Sequence, residues 1–331
     1  IIDDAIDEID ETFTIDLSNA VDALISDNQG VGTILDNDPA PTVSVNDVTV
    51  NEEDGTLTFT LTKAGLTDFD GSVDYVINPG TATTPADYTA NDALSGTVDF
   101  AAGETSKTVT VNIINDVIDE DNENFTIDLS NGVNLGISDN QGIGTIIDDD
   151  GAPTLIVNDM TVNEEDGTLT FTVTKVGTTS KSVTVDYDIN PGTATTPADY
   201  TANDALTGSL SFAAGEVSKT VTVNIIDDAI DEIDETFTID LSNASNATIS
   251  DAQGVGTILD NDPAPTIAVN DVTVSEADGT LTFSLTKTGA TSLDGSVDYV
   301  INPGTATTPA DYTANDALSG TVDFAAGETS K

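Results

Sequence analysis

The sequence predicts an all-β protein, built as tandem immunoglobulin-like antiparallel β-sandwiches joined end to end. Three observations predict it. Apolar and polar residues alternate with a period of two in segment after segment. Turn residues break the alternation at short intervals. The whole pattern recurs along the chain, as it does in tandem arrays.

The recurrence comes first because it sets the boundaries. "IIDDAIDEIDETFTIDLSNA" begins at residue 1 and returns unchanged at 225, with a variant at 113, a period of 112 residues. "AAGETSK" at 101–107 returns as "AAGEVSK" at 213–219 and as "AAGETSK" at 325–331. Residues 71–107 also match 295–331 letter for letter, so the copies alternate in type. The short segments "LDNDPAPT" (35–42), "IDDDGAPT" (147–154) and "LDNDPAPT" (259–266) mark the joints. They divide the chain into 1–38, the C-terminal part of a repeat; 39–150 and 151–262, two complete repeats; and 263–331, the N-terminal part of another. The array is expected to continue beyond this segment. Short Pro-bearing joints do not behave as flexible Gly/Ser coils, so neighbouring repeats are expected to abut.

Within a repeat the strands read off directly. In "GTLTFTLTK", Leu57, Phe59 and Leu61 face one way and Thr58, Thr60 and Thr62 the other. In "KTVTVNII", Val109, Val111 and Ile113 alternate with Thr108, Thr110 and Asn112. In "ENFTIDLS", Phe125, Ile127 and Leu129 alternate with Thr126, Asp128 and Ser130. Half-buried strands rich in Val, Ile and Thr suit antiparallel sheets. "EDG" (53–55) and "AAGE" (101–104) are breaks, and "NPG" (78–80) is expected to form a type II turn centred on Pro79 and Gly80. About seven strands in roughly 110 residues point to a sandwich rather than a solenoid, whose period is much shorter.

Composition narrows function. The 331 residues include 60 Asp and Glu, 7 Lys and no Arg or His, for a net charge of −53. Such a chain repels nucleic acid and anionic lipid. No apolar run approaches the roughly 18 residues of a spanning helix, so no membrane insertion is expected in this segment. Without Cys or His there is no disulfide framework, no thiolate or imidazole metal site and no Ser–His or Cys–His nucleophile. Paired carboxylates hydrolyse glycosides, but that chemistry needs a substrate cleft, and this chain has no Trp to line one. The protein is read as a non-enzyme.

The acidic residues are not spread evenly. In the repeat 39–150 they gather at Glu52, at Asp87, through the stretch Asp116–Glu123, and at Asp148–Asp150. Loops of a sandwich collect at its two ends. Two unpaired carboxylates 4 Å apart repel by about 1 kcal/mol in water and about 4 at an effective dielectric of 20. A hard cation removes that cost. Ca²⁺ takes six to eight oxygens at 2.3–2.6 Å from a flexible cage, whereas Mg²⁺ demands near-octahedral geometry. The plainer alternative is a solvated acidic surface that keeps the array soluble. Clustering in register in successive copies favours Ca²⁺.

"VNEEDGTLTFTLT", "PADYTA", "FAAGETSKTVTVNIINDVIDEDNENFTIDLS" and "GIGTIIDDD" together resemble the Calx-beta domain, over the whole chain. That family is known from the regulatory segment of sodium–calcium exchangers and from bacterial surface proteins. The resemblance implies an immunoglobulin-like sandwich with calcium at one end. It carries ligands onto Glu52, Asp87, Asp116, Glu120, Glu123, Asp148, Asp149 and Asp150 of the first complete repeat. In the second it points to Glu164, Asp199, Asp228, Glu232, Glu235, Asp260 and Asp262. In the partial repeats it points to Asp4, Glu8, Glu11, Asp36 and Asp38, and to Glu276 and Asp311. Asn115 stands where the other copies have Asp3 and Asp227, and Asn37 and Asn261 stand where Asp149 does.

The expected role is a structural, calcium-binding segment of a long extracellular bacterial fibre or adhesin stalk at the cell surface. Its expected partners are neighbouring repeats of the same protein and, in a filament, other copies that exchange strands with it. A calcium-sensing regulatory array and a carbohydrate-binding accessory module are the alternatives. Near-identical copies argue against the first, and few aromatics against the second.

Overall fold

A computed structural model describes residues 1–331. The chain forms two compact units, Ile1–Gly151 with Thr178–Lys181, and Ala152–Gly177 with Ser182–Lys331. Each holds one complete two-sheet sandwich.

In the first unit one sheet runs Ser95–Phe100, Gly71–Pro79, Glu123–Val133, Gln141–Ile147, Val48–Asn51. The other runs Gly136–Ile137, Thr42–Val45, Thr56–Ala64, Ser106–Ile113, Tyr88–Ala90. The second unit repeats this order with Thr207–Phe212, Val183–Pro191, Glu235–Ser245, Gln253–Leu259 and Met160–Asn163 in one sheet. The period-two pattern explains the layers. Leu57, Phe59, Leu61, Val109, Val111, Phe125 and Ile127 turn inward and are fully or almost fully buried, while the alternating Thr residues face out. Phe125 sits at the centre, stacked on Tyr88 at 4.5 Å and meeting Phe59 edge-on at 5.9 Å.

Most strand pairs are antiparallel, but the sheets are mixed. The first strand of each repeat changes sheets partway. Thr42–Val45 pairs antiparallel with Thr56–Ala64, and Val48–Asn51 crosses over to pair parallel with Gln141–Ile147. Asn46 and Asp47 fix the crossing by side-chain bonds to both sheets. The Asn46 carboxamide oxygen accepts from the Thr60 amide at 2.7 Å, and the Asp47 carboxylate accepts from the Ile143 amide at 2.8 Å. Asn158 and Asp159 do the same in the second unit.

One turn expectation is corrected. "NPG" is not a type II turn, because Gly80 lacks the positive φ that turn requires. The strand Gly71–Pro79 continues through Pro79, which lies opposite Phe125. Gly80 is needed for closeness: a Cβ there would lie 2.5 Å from the Asn124 carbonyl oxygen. The "EDG" break does turn, with Gly55 at φ +70° closing the short 3-10 turn Glu52–Asp54.

The partial repeats supply fewer strands. Residues 1–38 give the hairpin Glu11–Asp16 with Gln29–Ile34, and 263–331 give the pairs Thr266–Val269 with Leu285–Thr288 and Gly295–Val300 with Ser319–Phe324. No helix is long and apolar enough to cross a membrane.

Candidate metal centre

The parallel pairing that the crossover creates assembles the first cluster. Asn51 lies opposite Ile147, the last pair in the register. The next residue on each strand is a carboxylate, Glu52 on one and Asp148 on the other. Asn51 then caps the turn Glu52–Asp54: its amide donates to Asp54 Oδ2 at 2.9 Å. This holds Glu52 inward, where it is only 7% exposed. Glu52, Asp148 and Asp150 each offer an oxygen within 4.8 Å of the others.

A second cluster forms from the other sheet. Tyr88 pairs with Ile113, and the Asp87 carbonyl accepts the Ile114 amide at 2.9 Å, so Asp87 lies beside the start of the acidic stretch. Asp87, Glu120 and Glu123 bring oxygens within 4.8 Å of one another. One Asp87 oxygen already accepts from the Thr83 amide and hydroxyl, which orients the carboxylate. The second unit reproduces both clusters as Glu164, Asp260, Asp262 and Asp199, Glu232, Glu235.

In the clusters built on Glu52 and Glu164 the oxygens lack partners. Glu52 Oε2, Asp148 Oδ1 and Asp150 Oδ2 are buried without a hydrogen bond, as are Glu164 Oε2, Asp260 Oδ1 and Asp262 Oδ2. Buried polar atoms are almost always satisfied, and an orphaned set converging on one point needs an explanation. The strain registers in proton affinity. Burial, then the carboxylates of Asp116, Asp148, Asp150 and Glu120, push Glu52 up to about 7. Burial and Asp228, Asp260, Glu232 and Asp262 do the same to Glu164. Burial and Asp87 raise Glu123 to about 7, and burial and Asp199 raise Glu235 equally. Oxygens within 4.8 Å of one another can all reach one ion through bonds of about 2.3–2.6 Å. The all-oxygen donor set therefore fits calcium.

Not every expected ligand joins these sets. Asp116 and Asp228 are exposed beside the clusters, each accepting a backbone amide two residues on. Asp149 is exposed and outside both groups of the first repeat. The residues of the partial repeats form no such group: Asp4, Glu8, Glu11, Asp36, Asp38, Glu276 and Asp311. The reason is geometric. The complete set joins residues from the first half of a repeat, Glu52 and Asp87, to residues from the second, and each partial repeat supplies one half. Even so, Glu8 is raised by burial and by Asp4, Asp68, Glu11 and Asp36, and Asp38 by burial and by Asp36 and its neighbours.

Asp119 has a different task. Strand Ile118–Asp119 pairs in parallel with Thr178–Thr179 inside the first unit. The Thr179 hydroxyl lies 2.9 Å from the Asp119 carbonyl and 2.7 Å from Asp119 Oδ2. Asp7 with Thr67 and Asp231 with Thr291 make the same contact. Sequence reading placed Asp119 in an acid cluster and missed this partner. The signal available was the invariant Thr at 67, 179 and 291.

A two-sheet sandwich whose strand exits hold converging, unpartnered carboxylates is the architecture of a cation-binding β-domain. Residues 35–150, 147–262 and 259–331 match the Calx-beta domain. The chain belongs to the Calx-beta family, as a tandem array of these domains. It is similar to Sodium/calcium exchanger 1 of Rattus norvegicus, 31% identical over 234 residues, covering 63% of this chain and 23% of that protein. Extracellular matrix protein 3 of Lytechinus variegatus is 30% identical over 293 residues, covering 82% of this chain and 9% of that protein. The solved apo-form Calx CBD1 domain is 28% identical, with a TM-score of 0.32, and is covered in full by 34% of this chain. The chain thus spans less than a quarter of the length of these two relatives.

Proposed function

We propose that this chain is a structural segment of a long extracellular bacterial fibre or adhesin stalk, and that calcium at its acidic clusters stiffens the array. The observation that carries the proposal is the set of orphaned, buried carboxylate oxygens at Glu52, Asp148 and Asp150, repeated at Glu164, Asp260 and Asp262. Left uncompensated they oppose folding, and an ion that binds only the folded state adds stability by mass action. The ligands come from both halves of a repeat, so one ion ties the strand exits together. Near-identity of the copies suits a role in which every repeat does the same work. Similarity to an extracellular matrix protein over 82% of the chain supports an extracellular setting.

A calcium-sensing array is the second reading, favoured by the similarity to sodium/calcium exchangers. In that case calcium changes conformation rather than adding stiffness. Thermal melts in calcium, in magnesium and in chelator test the proposal. It expects a steep rise in midpoint with calcium alone. Coincident melts at matched ionic strength would leave the clusters as solvated surface. Small-angle scattering separates the two readings. Stiffening predicts a longer, narrower distance distribution in calcium, and sensing predicts a shift between two compact forms.

A further inference from the structure

The Asp–Thr contact recurs three times, but the residues beside it change. The position after Asp7, Asp119 and Asp231 by two is Ile9, Asp121 and Ile233. The position after Thr67, Thr179 and Thr291 by two is Phe69, Lys181 and Leu293. An apolar pair in the first and third copies is replaced in the middle copy by an acid and a base. In the middle copy the contact is visible. Lys181 Nζ lies 2.9 Å from Asp119 Oδ1 and 3.6 Å from Asp121 Oδ1. The first of these pairs is shielded, with side chains 21% and 8% exposed, whereas Asp121 is 93% exposed. All three residues belong to the first unit.

The location matters because Asp119 lies between the ligands. Glu120 follows it directly and shares a cluster with Asp87 and Glu123. Ser180, next to Lys181, lies beside Glu120, as Ser292 lies beside Glu232. Asp148 of the other cluster also lies within the field of the Lys181 ammonium. Of the seven lysines, Lys107, Lys219 and Lys331 pair with Glu104, Glu216 and Glu328 three residues away, Lys63 and Lys287 reach backbone carbonyls, and Lys175 is buried in the field of Glu216. Lys181 is the one that meets an acid stretch holding cluster ligands.

We infer that Lys181 is a built-in cation that sets the calcium requirement of the neighbouring clusters, holding Thr178–Lys181 docked on Asp119 without metal and making calcium binding at the 39–150 clusters weaker than it is once the ammonium is removed. This rests on reading the clusters as calcium sites. The reasoning is electrostatic. An ammonium compensates part of the negative charge that calcium otherwise neutralises, and it repels the ion that follows. A unit charge about 8 Å from a dication in a solvent-like dielectric lowers its affinity by roughly three- to tenfold. The contact Asp231–Thr291 has Leu293 in place of the lysine and gains no such support.

The test uses the full chain as wild type, Lys181→Leu, Lys181→Arg and the single variant Leu293→Lys. Calorimetric titration with calcium gives the affinities. Lys181→Leu should tighten part of the binding by roughly three- to tenfold. Lys181→Arg should leave it unchanged, and Leu293→Lys should weaken part of it. Amide exchange in calcium-free buffer gives a readout independent of metal. The Ser180 amide, donating to the Asp119 carbonyl at 3.1 Å, should stay protected, while the Ser292 amide, at 3.0 Å from the Asp231 carbonyl, exchanges faster. Lys181→Leu should abolish the difference. Equal affinities in wild type and Lys181→Leu, or equal protection of the two amides, would overturn the inference. A wild-type chain that binds no calcium would refute the site reading, and the exchange comparison would still decide whether Lys181 holds the contact.

Discussion

The sign of the pH dependence should reverse when calcium is added. Glu52 and Glu164 carry the argument, because both are 7% exposed and both titrate near 7 in the metal-free fold. In the unfolded chain each returns to about 4.5. Between these values the folded state holds a proton that the unfolded state has lost. Stability therefore falls as pH rises through about 7, and is fully present below 4.5. At about 1.36 kcal/mol per tenfold change in proton affinity, the span from 4.5 to about 7 is worth roughly 3 kcal/mol for each glutamate. Glu123 and Glu235 act in the same direction. With calcium bound the carboxylates must be ionised, so proton affinity in the fold drops below that of the unfolded chain. Stability is then present at neutral pH and lost on acidification. The assay is urea unfolding across this pH window, once in buffer stripped of divalent ions and once in excess calcium. Opposite slopes support the account. Slopes of the same sign, or a metal-free slope near zero, refute the claim that the clusters are both strained and metal-binding.

Four further outcomes follow. Glu52→Gln should raise metal-free stability above pH 7, by relieving repulsion with Asp148 and Asp150, and should shrink the calcium-induced rise in Tm; paired melts measure both. Phe125→Ala removes a fully buried ring from the stack with Tyr88 and should cost about 3–5 kcal/mol by urea unfolding. Asn46→Ala leaves the Thr60 amide without its side-chain acceptor and loosens the crossover that sets Glu52 beside Asp148. It should cost about 0.5–1.5 kcal/mol and weaken calcium binding in the 39–150 repeat while sparing 151–262. Thr179→Val should speed exchange of the Ser180 amide with little change in global stability, since it removes only the hydroxyl contact to Asp119.

The strands were legible because a strand with one face buried must alternate, and Leu57, Phe59 and Leu61 do so without interruption. The repeat fixed which acids are equivalent. What alternation does not encode is partner choice. Thr42–Val45 and Val48–Asn51 look alike in sequence, yet they join different sheets. Only the Asn46–Asp47 pair between them marks the crossing, through bonds to Thr60 and Ile143 that are distant in the chain. The parallel register that sets Glu52 beside Asp148 was hidden for the same reason. "NPG" misled because Pro and Gly signal a turn locally, whereas here the approach of Asn124, from another strand, demands the glycine. Asp119 could not be separated from its acidic neighbours by composition, because its use is decided by Thr179, some 60 residues away.

The most direct measurement is calorimetric titration of the full chain with calcium and with magnesium, alongside the double variant Glu52→Gln, Glu164→Gln. The account predicts that calcium binds at a stoichiometry of at least four, one ion for each carboxylate group, and that magnesium does not reproduce it. It also predicts that the double variant loses part of that binding. Absent calcium heats, or binding that the double variant leaves intact, would contradict the claim that the converging carboxylates are calcium sites.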